Sequence, residues 1–205
     1  MSLTFYWAPR STAGLTELVI EELGVRCERV SLEVGKTTQS PDFLKINPNG
    51  KVPVLVHDGT VIWESAAITM YLGETFGVEK KLYPAPGPQR GEAMKWIVWT
   101  NVTLGDALNR FTRNTMDGFP AEERNAKAGE SAKKEVADCL RIVDDALRGR
   151  QFLIGDYTIA DTHLHGIIGW MKMLNIDFTP YPQVQAWSQR CSARPAFAKV
   201  MAGMQ

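Results

Sequence analysis

The chain contains 205 residues, of which 44% are hydrophobic and 22% are charged. This balance is typical of an ordinary folded protein, with enough residues for one large domain or two small ones. Lys and Arg together number 23, as do Asp and Glu, so the formal net charge is zero. Because binding nucleic acid or acidic membranes over a whole surface requires an excess of basic charge, the composition argues against both functions.

The cysteines and histidines are few and scattered, and neither type forms a ligand motif. Three unpaired cysteines fit a reducing compartment better than a disulfide framework, and three scattered histidines do not suit a zinc site, so we predict no metal. The N-terminus lacks the features of a signal peptide, and no apolar run approaches the roughly 20 residues that span a bilayer. We therefore expect a cytoplasmic protein. The residues concerned are Cys27, Cys139, Cys191, His57, His163 and His165.

The first 80 or so residues alternate short strands with helices. An aromatic strand is followed by a segment with helical apolar spacing that Gly24 ends. Asp58-Gly59 predicts a hairpin turn between two later strands. This order predicts a thioredoxin-like α/β layer with a mixed sheet. The expected strands are 3–7, 27–32, 52–56 and 61–63, and the expected helices are 13–23 and 65–76, with a helix-like segment near Ser40.

Three prolines, Pro84, Pro86 and Pro88, predict a stiff connector after this layer. Everything beyond it has helical apolar spacing and predicts an all-α bundle. The expected domains are therefore 1–83 (thioredoxin-like) and 90–205 (helical), with a linker at 84–89. The expected helices are 90–116, a helix from Pro120 to Leu147, 158–174, and two short ones at 184–191 and 195–201.

The stretch around Val52-Pro53 is the first candidate for a binding site. An X-Pro bond before a strand is a plausible place for a cis peptide. The Val52 N–H and C=O would then face outward, free to pair with an extended peptide in an antiparallel ladder. The alternative is a proline that only begins a strand.

Glu64-Ser65, just before an apolar run, is the second candidate. Ser65 could simply be the N-cap of a helix. Alternatively, the free N–H groups and positive end of the helix could bind a carboxylate, while Glu64 accepts a hydrogen bond from an ammonium group. A peptide end that carries both groups would suit this pair.

Ser11 and Thr12 follow the first strand and form the third candidate. Either hydroxyl could cap the next helix or donate to a thiolate. Lowering a thiol pKa by about two units needs about 2.7 kcal/mol of differential stabilisation. One hydrogen bond to a charged acceptor supplies about 1.5–3 kcal/mol and a helix N-terminus about 0.3–1 kcal/mol. One hydroxyl and one helix end are therefore enough, without a histidine base.

These three elements, in this order, resemble the glutathione S-transferase family, and the resemblance covers essentially the whole chain. It includes the segment 155–161, which matches a helix-start motif of that family. In this motif Thr158 and Asp161 can form a reciprocal capping box. We assign the motif to folding rather than catalysis.

The resemblance implies how glutathione binds. Val52 would contact the cysteinyl backbone, Pro53 would be the cis residue, and Glu64 and Ser65 would hold the γ-glutamyl end. Ser11 or Thr12 would stabilise the thiolate, with Ser11 the better match. Gln39 and Lys51 are candidates for the glycyl carboxylate. The electrophile pocket implied between the two halves would be lined by Trp7, Arg10, Phe111, Met116 and Trp170.

The activity implied is conjugation of the glutathione thiolate to small, mostly apolar electrophiles by a homodimeric detoxification enzyme. Isomerisation, peroxide reduction and disulfide reduction start from the same thiolate and stay open as alternatives. Residues 8–14 contain no Cys, a departure from the family branches that form a mixed disulfide. A non-catalytic glutathione-binding protein with this fold is the alternative from another class.

Overall fold

A computed structural model describes residues 2–9 and 11–203 of the chain, which form four strands and nine α-helices. The strands are β1 Leu3–Trp7, β2 Glu28–Ser31, β3 Val54–His57 and β4 Thr60–Trp63. The helices of the first half are α1 Ala13–Leu23, α2 Pro41–Ile46 and α3 Ser65–Leu72. The later helices are α4 Pro88–Trp99, α5 Asp106–Thr115, α6 Ala126–Ala146, α7 Ile159–Met173, α8 Pro182–Ser192 and α9 Pro195–Gly203.

The four strands form one mixed sheet in the order β2-β1-β3-β4. β1 lies parallel to β2 and antiparallel to β3, and β3 pairs antiparallel with β4. Phe5 and Leu55 face each other in the two central strands and are fully buried. The hairpin turns at Asp58 (φ 47°) and Gly59 (φ 83°), the left-handed pair that a type I′ turn requires. The predicted α/β layer is confirmed.

The predicted end of α1 is confirmed, whereas the helix predicted over 65–76 is α-helical only to Leu72 and continues as a π-helical segment, Gly73–Gly77. α1 ends at Gly24, whose φ of 60° places it in the left-handed region that favours glycine. α2 begins after Ser40, whose hydroxyl accepts a hydrogen bond from the Phe43 amide at 3.2 Å.

The helical half differs from the sequence prediction at three places. The first helix begins at Pro88, inside the segment predicted as a linker, and not at residue 90. The path predicted as one helix over 90–116 is α4 and α5 joined by a π-helical segment, Thr100–Gly105. The helix predicted to begin at Pro120 begins instead at Ala126, after a short 3₁₀ turn at 121–123. The Asn125 side chain accepts a hydrogen bond from the Ala128 amide and caps α6, so this asparagine sets the start.

The predicted capping box is present at the start of α7. The Asp161 carboxylate accepts a hydrogen bond from the Thr158 amide at 3.0 Å, and the Thr158 hydroxyl accepts one from the Ala160 amide at 3.3 Å. Asp161 also accepts from the Leu153 amide and from the Trp187 indole N–H, each at 2.9 Å. One fully buried carboxylate therefore joins the loop before α7 to α8.

The two halves meet along α1. Gly166 of α7 packs so closely on Leu15 that an added Cβ would lie 3.0 Å from the Leu15 Cγ atom. At the other end of the contact, Arg194 bonds to Glu22 and stacks 3.7 Å from the centre of the Tyr157 ring. Lys199 of α9 pairs with Glu21. The contact therefore combines a tight apolar centre with ion pairs at its edge.

Among residues 2–9 and 11–203, no helix is long and apolar enough to cross a membrane.

Candidate functional site

The strand register brings the three candidate segments to one end of the sheet. Tyr6 pairs with Val54, and Val54 pairs with Trp63. The chain leaving β1 toward Ser11, the chain entering β3 and the chain leaving β4 therefore share that end. Sequence order alone separates them by dozens of residues, whereas the antiparallel pairing makes them neighbours.

Val52 provides the free backbone that the sequence predicts. The Val52-Pro53 bond is cis. The hydrogen bonds formed among the described residues include neither the N–H nor the C=O of Val52, and β3 begins only at Val54. A backbone donor and acceptor that lack partners are available to pair with another chain segment.

The loop before Val52 is held by two amide side chains. Gln39 donates through Nε2 to the Gly50 carbonyl at 3.1 Å, and Asn47 donates through Nδ2 to the Lys51 carbonyl at 2.7 Å. Gln39 and Lys51 therefore lie at the same end of the Val52 segment, both exposed. Sequence reasoning missed Asn47, although an Asn before Pro-Asn-Gly is a recognisable turn signal.

Capping preferences favour Ser65 as the N-cap of α3, but in the structure Glu64 holds that position. Glu64 is the N-cap residue, with φ 73°, and its side chain caps nothing, while Ser65 is the first residue of α3. The possibility that Ser65 is the N-cap is wrong. Among the residues that the structure describes, no side chain caps the first-turn N–H groups of α3. Such groups at the positive helix end suit an anion.

The two hydroxyl candidates differ in their surroundings. Ser11 is half-buried; its hydroxyl donates to the Ala8 carbonyl at 2.6 Å and accepts from the Ala13 amide at 3.2 Å. Thr12 is exposed at the N-cap position of α1, and its hydroxyl makes no cap hydrogen bond. The Ser11 hydroxyl must turn away from Ala8 before it can donate to a ligand.

The candidates for an electrophile pocket come from three parts of the fold. Trp7 ends β1, Phe111 lies on α5 with Met116 just beyond it, and Trp170 lies on α7. All four are half-buried and so keep part of their side chains accessible. Arg10 lies outside the described residues. The shared pocket stays a prediction.

Sequence reasoning missed three polar residues behind Ser65. Asn101 donates through Nδ2 to the Ser65 hydroxyl at 2.8 Å. His163 lies 2.8 Å from Asn101 through Nε2 and 2.9 Å from the Thr69 hydroxyl through Nδ1. Burial lowers the pKa of His163 to about 3, so the ring is neutral at pH 7. The spacing of Ser65 and Thr69 on one face of α3 was the available sequence signal.

Within the part of the chain that the structure describes, no group of three or more His, Cys, Asp or Glu side chains could hold a metal ion.

A mixed thioredoxin-like sheet with a free backbone segment and an uncapped helix N-terminus at one end, followed by a helical bundle, defines the class of protein. Comparisons with known proteins agree with this class. The glutathione S-transferase N-terminal domain model matches residues 1–74, and the C-terminal domain model matches residues 114–195. The chain therefore belongs to the glutathione S-transferase family.

Individual relatives are similar over most of their length. Glutathione S-transferase GstB of Escherichia coli K12 is 33% identical over 189 residues, which cover 90% of this chain and 89% of that protein. A sphingomonad glutathione S-transferase, solved in complex with glutathione, is 26% identical with a TM-score of 0.84 over 98% of both chains. The glutathione transferase URE2P6 of Phanerochaete chrysosporium shares the fold, with a TM-score of 0.90 at 23% identity over 99% of this chain and 96% of that one.

The predicted family and fold class are thus confirmed.

Proposed function

We propose that this protein uses glutathione as a co-substrate and transfers its thiolate to small, mostly apolar electrophiles. The observation that carries the proposal is the Val52 backbone, which has no hydrogen-bond partner among the described residues. It lies at the same sheet end as the start of α3 and the hydroxyl of Ser11. The sphingomonad relative solved with glutathione supports the choice of ligand.

In the proposed complex, each part of the tripeptide has a chemically matched partner. The cysteinyl backbone pairs with the Val52 N–H and C=O in an antiparallel ladder. The γ-glutamyl carboxylate binds at the α3 N-terminus with Ser65, and the γ-glutamyl ammonium donates to Glu64. The glycyl carboxylate lies toward Gln39 and Lys51.

Ser11 is the proposed activating residue, since its half-buried hydroxyl at the start of α1 can give a thiolate a better-shielded hydrogen bond than the exposed Thr12. A hydrogen bond to a charged acceptor stabilises that acceptor by about 1.5–3 kcal/mol. This is enough to lower a thiol pKa by about one to two units. The chain then contributes by binding, by orienting the thiolate and by lowering the thiol pKa.

Replacing Ser11 by alanine should slow conjugation of an activated aryl chloride tenfold or more and raise the apparent pKa of the reaction. The reason is the loss of the hydrogen bond that favours the thiolate over the thiol. A pH–rate profile of kcat/KM for the electrophile at saturating glutathione measures both effects, because it reports the thiol of the glutathione complex.

Thr12→Ala is the matched control, since it removes the neighbouring hydroxyl. A shift of the profile in Thr12→Ala alone would transfer the role to Thr12. Calorimetry with wild-type protein and millimolar glutathione tests the binding step separately, and an absence of heat would contradict the proposed function. Binding without turnover against a broad electrophile panel would favour the non-catalytic alternative.

The thiolate also permits isomerisation, peroxide reduction or disulfide reduction. The chemistry of the second substrate determines which of these reactions takes place.

The proposed pocket residues are Trp7, Phe111, Met116 and Trp170. The proposed location is the cytoplasm, and the proposed domains are 1–83 and 90–205 with a linker at 84–89.

A homodimer is part of the proposal, and an exposed apolar surface supports it. Val61 and Trp63 on the edge strand β4 are each 41% exposed, and Val102 is 66% exposed. The hydrogen bond between Asn101 and Ser65 brings the segment of Val102 beside the end of β4. Apolar side chains on an edge strand favour association.

Trp63→Glu should shift a dimer of about twice the chain mass toward monomer, because a charge would then be buried in the interface. Sedimentation velocity measures the dissociation constant of the dimer, which we expect to rise at least tenfold in this variant. Val34→Glu, at a 68% exposed valine away from this surface, serves as control. A wild-type protein that is monomeric at micromolar concentration would refute the dimer.

A further inference from the structure

Four polar side chains form a continuous hydrogen-bonded relay that links α3 to the helical half. In order they are Ser65, Asn101, His163 and Thr69, joined by contacts of 2.8, 2.8 and 2.9 Å. Thr69 and His163 are fully buried and Ser65 is 3% exposed. The relay begins and ends on α3, so Asn101 and His163 of the helical half bridge two turns of a helix in the α/β half.

The donors and acceptors of the relay fit one direction of hydrogen bonding. The Thr69 hydroxyl donates to His163 Nδ1, and His163 Nε2–H donates to the Asn101 side-chain oxygen. Asn101 Nδ2 then donates to the Ser65 hydroxyl oxygen. Because Ser65 accepts within the relay, its own hydroxyl hydrogen is free to point away from it.

A neutral imidazole gives the relay a single direction, and the orientation of the Asn101 amide sets which one. A neutral ring has one N–H donor and one acceptor, and because the Asn101 side-chain oxygen faces Nε2, the donor is Nε2. Burial keeps His163 neutral. Reversing the relay would require the Asn101 amide to turn by about 180° and the imidazole proton to move to Nδ1. The Ser65 hydrogen would then be used on Asn101 instead of being available to a ligand.

We propose that Asn101, oriented by His163 and Thr69, is a positioning residue that keeps the Ser65 hydroxyl a donor and so selects a carboxylate at the start of α3. For the identity of the ligand, the γ-glutamyl carboxylate of glutathione, this inference rests on the proposed function. The helical half thereby contributes to recognition of the tripeptide without touching it.

Asn101→Asp tests this role because it replaces the Nδ2 donor by a second acceptor. The Ser65 hydrogen should then turn toward the new carboxylate and leave the ligand. We expect glutathione affinity, measured by calorimetry on folded protein, to fall at least tenfold. The loss should appear in KM for glutathione, with little change in kcat or in the apparent thiol pKa.

Asn109→Asp is the matched control. It makes the same chemical change on the exposed face of α5, eight residues further along the chain. It should bind glutathione as the wild type does. Thermal denaturation of both variants identifies any loss that is due to unfolding.

Two glutathione analogues show which group of the ligand makes its affinity depend on Asn101. Glutaryl-cysteinyl-glycine keeps the carboxylate and lacks the ammonium, so Asn101→Asp should still weaken its binding at least tenfold. 4-Aminobutyryl-cysteinyl-glycine lacks the carboxylate, and its affinity should be the same for the wild type and the variant. An undiminished loss with this second analogue would overturn the proposal.

The wild-type protein gives an independent measurement. With ¹⁵N-labelled histidine, the His163 ring in the glutathione complex should carry its proton on Nε2, and a proton on Nδ1 would overturn the proposal. If the wild type binds glutathione and Asn101→Asp binds it equally well, this inference fails while the proposed function stands. If the wild type binds none of the three peptides, both fail.

Discussion

Replacing Asp161 by alanine should lower the free energy of unfolding by about 4 kcal/mol, because four buried donors lose their acceptor at about 1–3 kcal/mol each. The donors are the amides of Leu153 and Thr158, the Thr158 hydroxyl and the indole N–H of Trp187. For a chain of this length the change corresponds to a melting temperature lower by about 10 °C. Differential scanning calorimetry measures it.

Asp156→Ala is the control for this prediction, since Asp156 is exposed five residues earlier. It should change the free energy of unfolding by no more than about 0.5 kcal/mol. The folded fraction of Asp161→Ala should bind glutathione normally, because the carboxylate holds the loop before α7 and helix α8. A large affinity loss at normal stability would show that Asp161 serves the binding site instead.

Acidification from pH 7 to pH 5 should cost about 4 kcal/mol of stability through two buried histidines. Burial lowers the pKa of His163 to about 3, and burial, aided by the Lys172 charge, lowers that of His165 to about 4. Both rings have a pKa near 6.5 in the unfolded chain. Between the folded and unfolded pKa values, the unfolded state therefore binds up to two more protons than the folded state. The contribution of the two histidines to stability is fully present above about pH 6.5 and declines toward about pH 4.

Urea unfolding at half-unit pH steps measures this dependence. A His163→Gln/His165→Gln variant should have lower stability at pH 7 but a flatter decline below it. Parallel pH curves for the wild type and the double variant would assign acid sensitivity to the carboxylates.

Features of the fold that depend on local chemistry could be predicted from the sequence. Gly24 ends α1 because glycine readily adopts the positive φ that this helix end requires. Asp58-Gly59 forms the hairpin turn because both residues adopt a positive φ there. The capping box of Thr158 and Asp161 needs only residues three apart. The family resemblance depended on such local segments, and the domain matches confirm it.

Two features of the helical half were not predicted from the sequence. The α6 helix begins at Ala126 because Asn125 caps it, although Pro120 is an equally reasonable start by local preference. The π-helical segment at 100–105 has no composition signal.

The hydrogen-bond partners of the buried side chains near the site could not be predicted from the sequence either. Ser65 could be assigned to a cap from local statistics, yet its hydroxyl bonds to Asn101, 36 residues away. His163 and Thr69 are 94 residues apart. Only the packing of α7 and the π-helical segment 100–105 against α3 brings these groups together, and no periodicity in the sequence predicts it.

The two halves are held together by a neutral hydrogen bond and by exposed ion pairs, which respond differently to ionic strength. The bond between Asn101 and Ser65 is neutral and shielded, so dissolved salt leaves it almost unchanged. Lys199 on α9 is 72% exposed where it meets Glu21, and its attraction fades as counterions accumulate. High salt should therefore weaken the contact between α9 and α1 first, while the contact between Asn101 and Ser65 is preserved.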